Sequence, residues 1–305
     1  MKDWLRHWLP VCCLACALLG TDAAAPSEAA ARPALWFPVG EAMVYRLYWG
    51  IIPVGESHVT TRWIERDGRT LLVIRFTSRS NKVLQTVYPV EDVMESIIDP
   101  ETFLPLQFIK NLSEGRYRAH EITRFDHAAG KAYMTSLTNG KEKTYDIESD
   151  SRDLVSFMYF MRKFDLVPGA EFQQRVVADE DIYDILVRPL KYEAVKTVDG
   201  DKIESIKVEP KAKFDGLFVR KGEAWLWVSC DAERIVTRIV AEVPVANVKI
   251  ILDQRSLENP EPEEDDVTLY PMPPWLKDEA PGGDSQQEET DASGALKNPD
   301  DFVLP

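Results

Sequence analysis

From Gly40 to about Leu252, apolar and polar residues alternate with a period of two, the spacing that sends successive side chains of a strand to opposite faces of a sheet. Tyr45, Leu47 and Trp49 alternate with Arg46 and Tyr48. Further along, Ala224, Leu226, Val228 and Cys230 make one face while Trp225, Trp227 and Ser229 make the other. Turn-forming pairs cut these runs short: Asp67-Gly68, Asp99-Pro100, Asn139-Gly140, Asp199-Gly200 and Asp215-Gly216. Short strands joined in this way form an antiparallel meander, not a parallel sheet with helical crossovers. The pattern predicts roughly ten to thirteen strands.

One segment, about 150–164, departs from the alternation. Leu154, Phe157, Met158 and Met161 follow the i, i+3, i+4, i+7 spacing of a helix, with Asp150 or Ser151 placed to cap it and Pro168-Gly169 to stop it. Val155, Tyr159, Phe160 and Phe164 make its other faces apolar too, and a helix that is apolar all round is buried. The expected fold is therefore mainly β: a curved antiparallel sheet or open β-barrel over 39–257, with this helix packed on the concave face.

The two ends differ from this body. Lys2 and Arg6, then an apolar run from Leu9 to Leu19, then small residues at Ala23, Ala24 and Ala25 form the order of a secretory signal over 1–25. The run is too short to span a bilayer, which takes about 20 residues, so no transmembrane segment is expected after cleavage. Cys16 offers the lesser alternative of a lipid anchor, but Cys13 stands where lipoprotein signals favour an aliphatic residue. Residues 26–38 read as an Ala- and Pro-containing linker. Residues 258–305 read as a disordered acidic tail, too poor in apolar area to offset its ordering entropy, although Tyr270 and Trp275 suit local docking as a proline-rich strap.

Charge and cysteine content narrow the chemistry. Most of the formal net charge of -15 belongs to the tail, where 14 acidic residues face only Lys277 and Lys297. The body is close to neutral and has no basic stripe for nucleic acid. Cys230 is the sole cysteine beyond the signal and is expected as a small buried hydrophobe. His120 and His127, with Glu121 and Asp126 between them, read as surface polar residues and not as a metal site. There is no nucleophile elbow, no phosphate loop and no base beside the thiol, so no catalytic residue, cofactor or metal is assigned.

The ordered series Gly40-Glu41, Tyr45, Trp49-Gly50, Val54-Gly55-Glu56, Ile98-Asp99-Pro100-Glu101-Thr102 with Pro105, Glu114-Gly115-Arg116-Tyr117, and Trp225-Leu226-Trp227 with Asp231 and Arg234 resembles the bacterial family called domain of unknown function 3108. The resemblance covers about residues 38 to 253 and departs at Cys230 and at Thr237, where a proline is usual. It implies export and a β-rich fold, and it carries no catalytic residue. A looser, fold-level likeness is to the periplasmic lipoprotein-carrier half-barrels, whose curved sheets hold apolar helices.

These readings lead to an exported protein, periplasmic or secreted, that binds or carries an apolar or amphiphilic ligand or envelope component. Phe157, Met158, Met161, Trp49 and Trp225 are the candidate ligand-lining residues. The alternative is a structural or envelope-assembly protein that buries the helix as ordinary core. An enzyme acting on envelope polymers is a third reading.

Overall fold

The computed structural model describes residues 32–178, 181–212, 224–242 and 247–257. The expected signal over 1–25 and the tail over 258–305 lie outside the described residues. Eight strands come first: β1 (Glu41–Trp49), β2 (Ile52–Arg66), β3 (Arg69–Ser80), β4 (Glu91–Asp99), β5 (Leu104–Glu114), β6 (Tyr117–Asp126), β7 (Lys131–Ser136) and β8 (Glu142–Asp146). The short β9 (Arg152–Asp153) then leads directly into helix α1 (Leu154–Met161). Six more strands follow: β10 (Phe172–Ala178), β11 (Asp181–Lys196), β12 (Lys202–Ala212), β13 (Ala224–Ser229), β14 (Val236–Glu242) and β15 (Asn247–Leu257).

All fifteen lie in one curved sheet, in the order β8-β7-β6-β5-β4-β3-β2-β1-β15-β14-β13-β12-β11-β10-β9. Apart from β8 and β9, each strand pairs with its neighbours in sequence, and β1 and β15 join the two halves of the chain. The sheet does not close into a barrel. Its edges among the described residues, β8 and β9, are consecutive in the chain, so the connection between them runs from one edge to the other. The pairing is antiparallel as the turns predicted, except that β9 and β10 run parallel because β10 returns beside β9 after the helix. The strands exceed the expected number because elements as short as β9 carry no periodic signal.

Alternation places the core. On β3, Leu72 and Ile74 point to the concave side and Leu71 and Val73 to the convex side, and all four are buried. The concave cluster also takes Met43, Tyr45, Val59, Phe108 and Phe125, together with Val155 and Tyr159 of the helix. Phe157 and Met161 face the other half, against Val176, Tyr183, Ile185, Val208 and Leu226. An apolar helix is thus explained by a partner on each side, as its composition predicted. The expected linker over 26–38 ends sooner than its composition suggested, because Leu35, Trp36 and Phe37 pack into the concave core. Trp36 meets Phe103 at 4.4 Å with the two rings tilted, and Phe37 meets Tyr159 at 4.8 Å.

The helix begins later than Asp150 or Ser151. Asp153 is the cap, accepting from the Ser156 N–H at 2.9 Å, and the Ser96 hydroxyl of β4 donates to its other oxygen at 2.6 Å. One buried carboxylate therefore caps the helix and ties it to the opposite wall. Pro168-Gly169 is not the stop. The last turn tightens after Met161, with Lys163 N–H reaching Phe160 O at 3.0 Å and Phe164 N–H reaching Met161 O at 3.1 Å. Arg162 turns inward at that point to an ion pair with β1. Cys230 also departs from expectation: β13 stops at Ser229, and the cysteine sits exposed at the start of the turn to β14. Desolvation, reinforced by Glu204 and Asp231, pushes its thiol pKa up, which keeps it protonated and weakly nucleophilic.

Candidate functional site

Between the helix and the sheet lies a cavity of about 170 Å³. Its sheet wall comes from Met43 and Tyr45 of β1, Val59 of β2, Phe76 of β3, Met94 of β4 and Ile250 of β15, with Val236 and Ile239 of β14 at one side. Leu154, Met158, Tyr159 and Arg162 form the helix wall. Three of these are methionines, whose unbranched side chains adapt to guests of different shape.

Cross-strand register gives the cavity a direction. The row Trp63, Leu72 and Ile98 lies at one end of the sheet, where Phe37, Phe103 and Phe125 fill the concavity. The row Ser57, Ser78 and Asp92 lies toward the other end, and Ser57 and Ser78 edge the cavity there. Beyond them the turn between β1 and β2 and the connection between β3 and β4 form the rim. Asn81 ties the two together, its Nδ2 donating to Pro53 O at 2.6 Å and its backbone N–H to Val54 O at 2.8 Å. This rim presents Ile51, Ile52, Val83 and Val87 to solvent, with Ile51 88% exposed and Val83 80%.

The polar end of the cavity is built on Glu41, which is 0% exposed. Arg162 Nη1 donates to its Oε2 at 2.6 Å, and Arg255 Nε donates to its Oε1 at 2.7 Å. Arg255 also reaches Glu233 at 2.7 Å, so the two guanidinium groups are balanced by two carboxylates. The Tyr45 hydroxyl donates to Val236 O at 3.0 Å. Burial pushes both the Tyr45 and Tyr159 phenols up, which keeps them protonated donors. The Tyr159 hydroxyl is buried and has no hydrogen-bond partner among the described residues. A donor left unsatisfied costs about 1–3 kcal/mol, so it is a place for a guest's acceptor atom.

Of the residues singled out from sequence, Met158 lines the cavity, while Phe157 and Met161 face the second core cluster. Trp49 ends β1 opposite Val248, half-buried. Trp225 lies on the convex side of β13, covered by the Lys207 ammonium at 4.2 Å, beside Trp227. Five candidates are thus spread over four places. The His127 ring bonds Pro105 O at 2.9 Å and stacks on Phe125. Among the described residues no group of three or more His, Cys, Asp or Glu is placed to hold a metal ion, and no helix is long and apolar enough to cross a membrane. Residue spacing missed Glu41 and Arg162, which pair across 121 residues of sequence, and it read Tyr159 only as part of an apolar helix face.

The model for the protein family of unknown function DUF3108 matches residues 44–253, more than two thirds of the chain. The chain belongs to the DUF3108 family. This DUF3108 protein is similar in fold to a crystal structure of a β-barrel-like protein of domain of unknown function DUF1849 from Brucella abortus. That likeness has a TM-score of 0.50 and 11% identity, and covers 73% of this chain and 99% of the other. A second solved structure, named "putative lipoprotein", from Parabacteroides distasonis, matches with a TM-score of 0.31 and 9% identity over 72% of this chain and 98% of its own. Comparison with curated proteins gives no match. Tyr45, within the matched span, is part of the cavity wall, and Glu41, three residues before that span, is the hub of the ion pairs at its polar end.

Proposed function

We propose that this DUF3108 protein is exported and binds the apolar part of an amphiphile in the cavity beneath α1. The observation that carries this reading is the wall itself, almost wholly apolar and ending in one unsatisfied buried donor, Tyr159. Ligand sites pair mostly apolar walls with a few polar anchors. A volume of about 170 Å³ is close to that of an engineered apolar cavity of about 150 Å³ that admits a benzene-sized guest. A single short acyl segment or ring fits, and a whole lipid does not. The aliphatic rim at Ile51, Ile52, Val83 and Val87 supports the same reading, since the rest of such a molecule passes over it.

The test is titration with a fluorescent medium-chain acyl probe. The parent protein is expected to bind saturably. Met158→Trp, which fills the space, abolishes binding while thermal stability stays level or rises, and Tyr159→Phe weakens binding several-fold by removing the donor. Absence of saturable binding by the parent would overturn the reading and leave the structural alternative, in which the cavity is a packing defect beside an ordinary core helix.

A further inference from the structure

The convex face of the sheet holds an apolar stripe that no described element covers. Ile64, Leu71, Val73, Ile97 and Leu106 form a cluster of their own, and Ile109 and Ile122 continue it across β5 and β6. These seven residues are between 0% and 8% exposed. The helix lies on the opposite face, because Leu72, Ile74 and Ile98, which alternate with these residues, pack with Val155 and Tyr159. Leu106 reaches the stripe through a bulge opposite Ile97 and Ile98, which turns it out while Phe108, two residues on, stays inside.

Gln107 stands in the same stripe, opposite Ile97, at 0% exposure, and neither atom of its amide has a hydrogen-bond partner among the described residues. Opposite it on β6, Arg124 has a buried Nε in the same condition. A bare convex face leaves such side chains in water. Same-face neighbours shield their flanks and cannot close over their tops.

We infer that this stripe is the seat of the chain's own segment 258–278, and that Tyr270 and Trp275 anchor it there. Position supports this first. Leu257 pairs with Glu41, and Glu41 N–H bonds Thr61 Oγ1, so the chain leaves β15 level with Thr61, three residues from Ile64. β6 lies six strands from β15 in the sheet, roughly 29 Å at the usual strand spacing. Extended chain from 257 to 270 spans roughly 43 Å, enough to cross the stripe with slack.

Charge supports it second. Four arginines lie along the path: Arg62 opposite Val73, Arg75 opposite Glu95 and paired with it at 3.8 Å, Arg66 paired with Asp67 at 3.9 Å, and Arg124 at the far end, so that the tail's acids would add to ion pairs already present. Glu261, Glu263, Glu264, Asp265 and Asp266 would be the first part of the segment to cross them. The chemistry of the anchors is the third support. Pro271, Pro273 and Pro274 hold the chain extended without donating hydrogen bonds, and backbone carbonyls and N–H groups laid across the stripe match the amide of Gln107.

A Glu-specific protease applied to the full exported chain tests the inference. Glu263 and Glu264 are expected to resist cleavage at least about tenfold longer than Glu288 and Glu289, which serve as the internal control in the same tail, while Glu261 is not scored because Pro262 blocks cleavage after it. Tyr270→Ala with Trp275→Ala should erase that difference and raise the fluorescence of a hydrophobic dye several-fold as the stripe is uncovered. Acyl-probe binding in the cavity is expected to stay unchanged, so this outcome is independent of the proposed function. Equal cleavage at the two groups of glutamates in the parent chain would overturn the inference. A dimer in solution with those glutamates freely cut would assign the stripe to a second copy instead.

Discussion

Glu41 is fully buried and accepts from Arg162 on one side and Arg255 on the other. Removing its charge leaves two guanidinium groups without their shared partner, so Glu41→Gln is expected to cost on the order of 3–5 kcal/mol in denaturant unfolding. A cost under about 1 kcal/mol would show that water reaches the pair. A second carboxylate cluster gives a pH dependence. At the rim end of the concave face, Asp92 and Glu114 share a hydrogen bond beside Tyr88, and burial followed by Asp92's charge raises Glu114 to about 6. Asp92 is raised as well, chiefly by burial, against the lowering effect of the Ser113 N–H. Both groups therefore hold protons in the folded state that the unfolded chain releases at lower pH. Their contribution to stability is present below the ordinary carboxylate range and is lost as pH rises through about 6. Unfolding at pH 5 and pH 7.5 checks this, and Glu114→Gln should flatten the difference. Such residue-scale facts were partly legible. At Gly55 a Cβ would meet the Arg79 carbonyl oxygen at 2.3 Å, so only glycine fits where β2 and β3 approach there. The role of Glu41 was not legible, since no local pattern joins it to an arginine 121 residues away.

At the scale of the element, the helix shows what periodicity reads and what it does not. Its existence and burial followed from composition alone. Which face meets a cavity and which meets solid core did not, because all its faces are apolar and the distinction is made by strands on either side. Phe157 packs among Val176, Tyr183 and Ile185, whereas Met158 borders open space. Phe157→Ala is accordingly expected to cost about 3–5 kcal/mol, and Met158→Ala about 1 kcal/mol, since the latter enlarges an existing cavity from which packing is already missing. Denaturant midpoints of the two variants measure the contrast, and equal costs would show that the cavity collapses around Met158. The helix start was misplaced for a related reason. Asp150, Ser151 and Asp153 are all good caps locally, and the choice falls to Asp153 because Ser96 of a distant strand completes its bonding.

For the whole body, alternation and turn chemistry gave the meander, yet the joining of its first and last strands is invisible in sequence, since edge strands and joined strands alternate alike. That one ladder decides how the protein bears load. Glu41 lies opposite Leu257, and Trp49 lies opposite Val248. Tension entering at Glu41 and Leu257 acts at one end of the ladder, so its hydrogen bonds break one after another like the teeth of a zipper. Tension between Trp49 and Leu257 loads the same bonds side by side, in shear. Single-molecule pulling with handles at the first pair is expected to open the sheet at a markedly lower force than handles at the second. Equal forces would mean that some other contact holds the halves together. A body built this way gives way easily when drawn out by its ends, and resists when pushed or sheared along its strands.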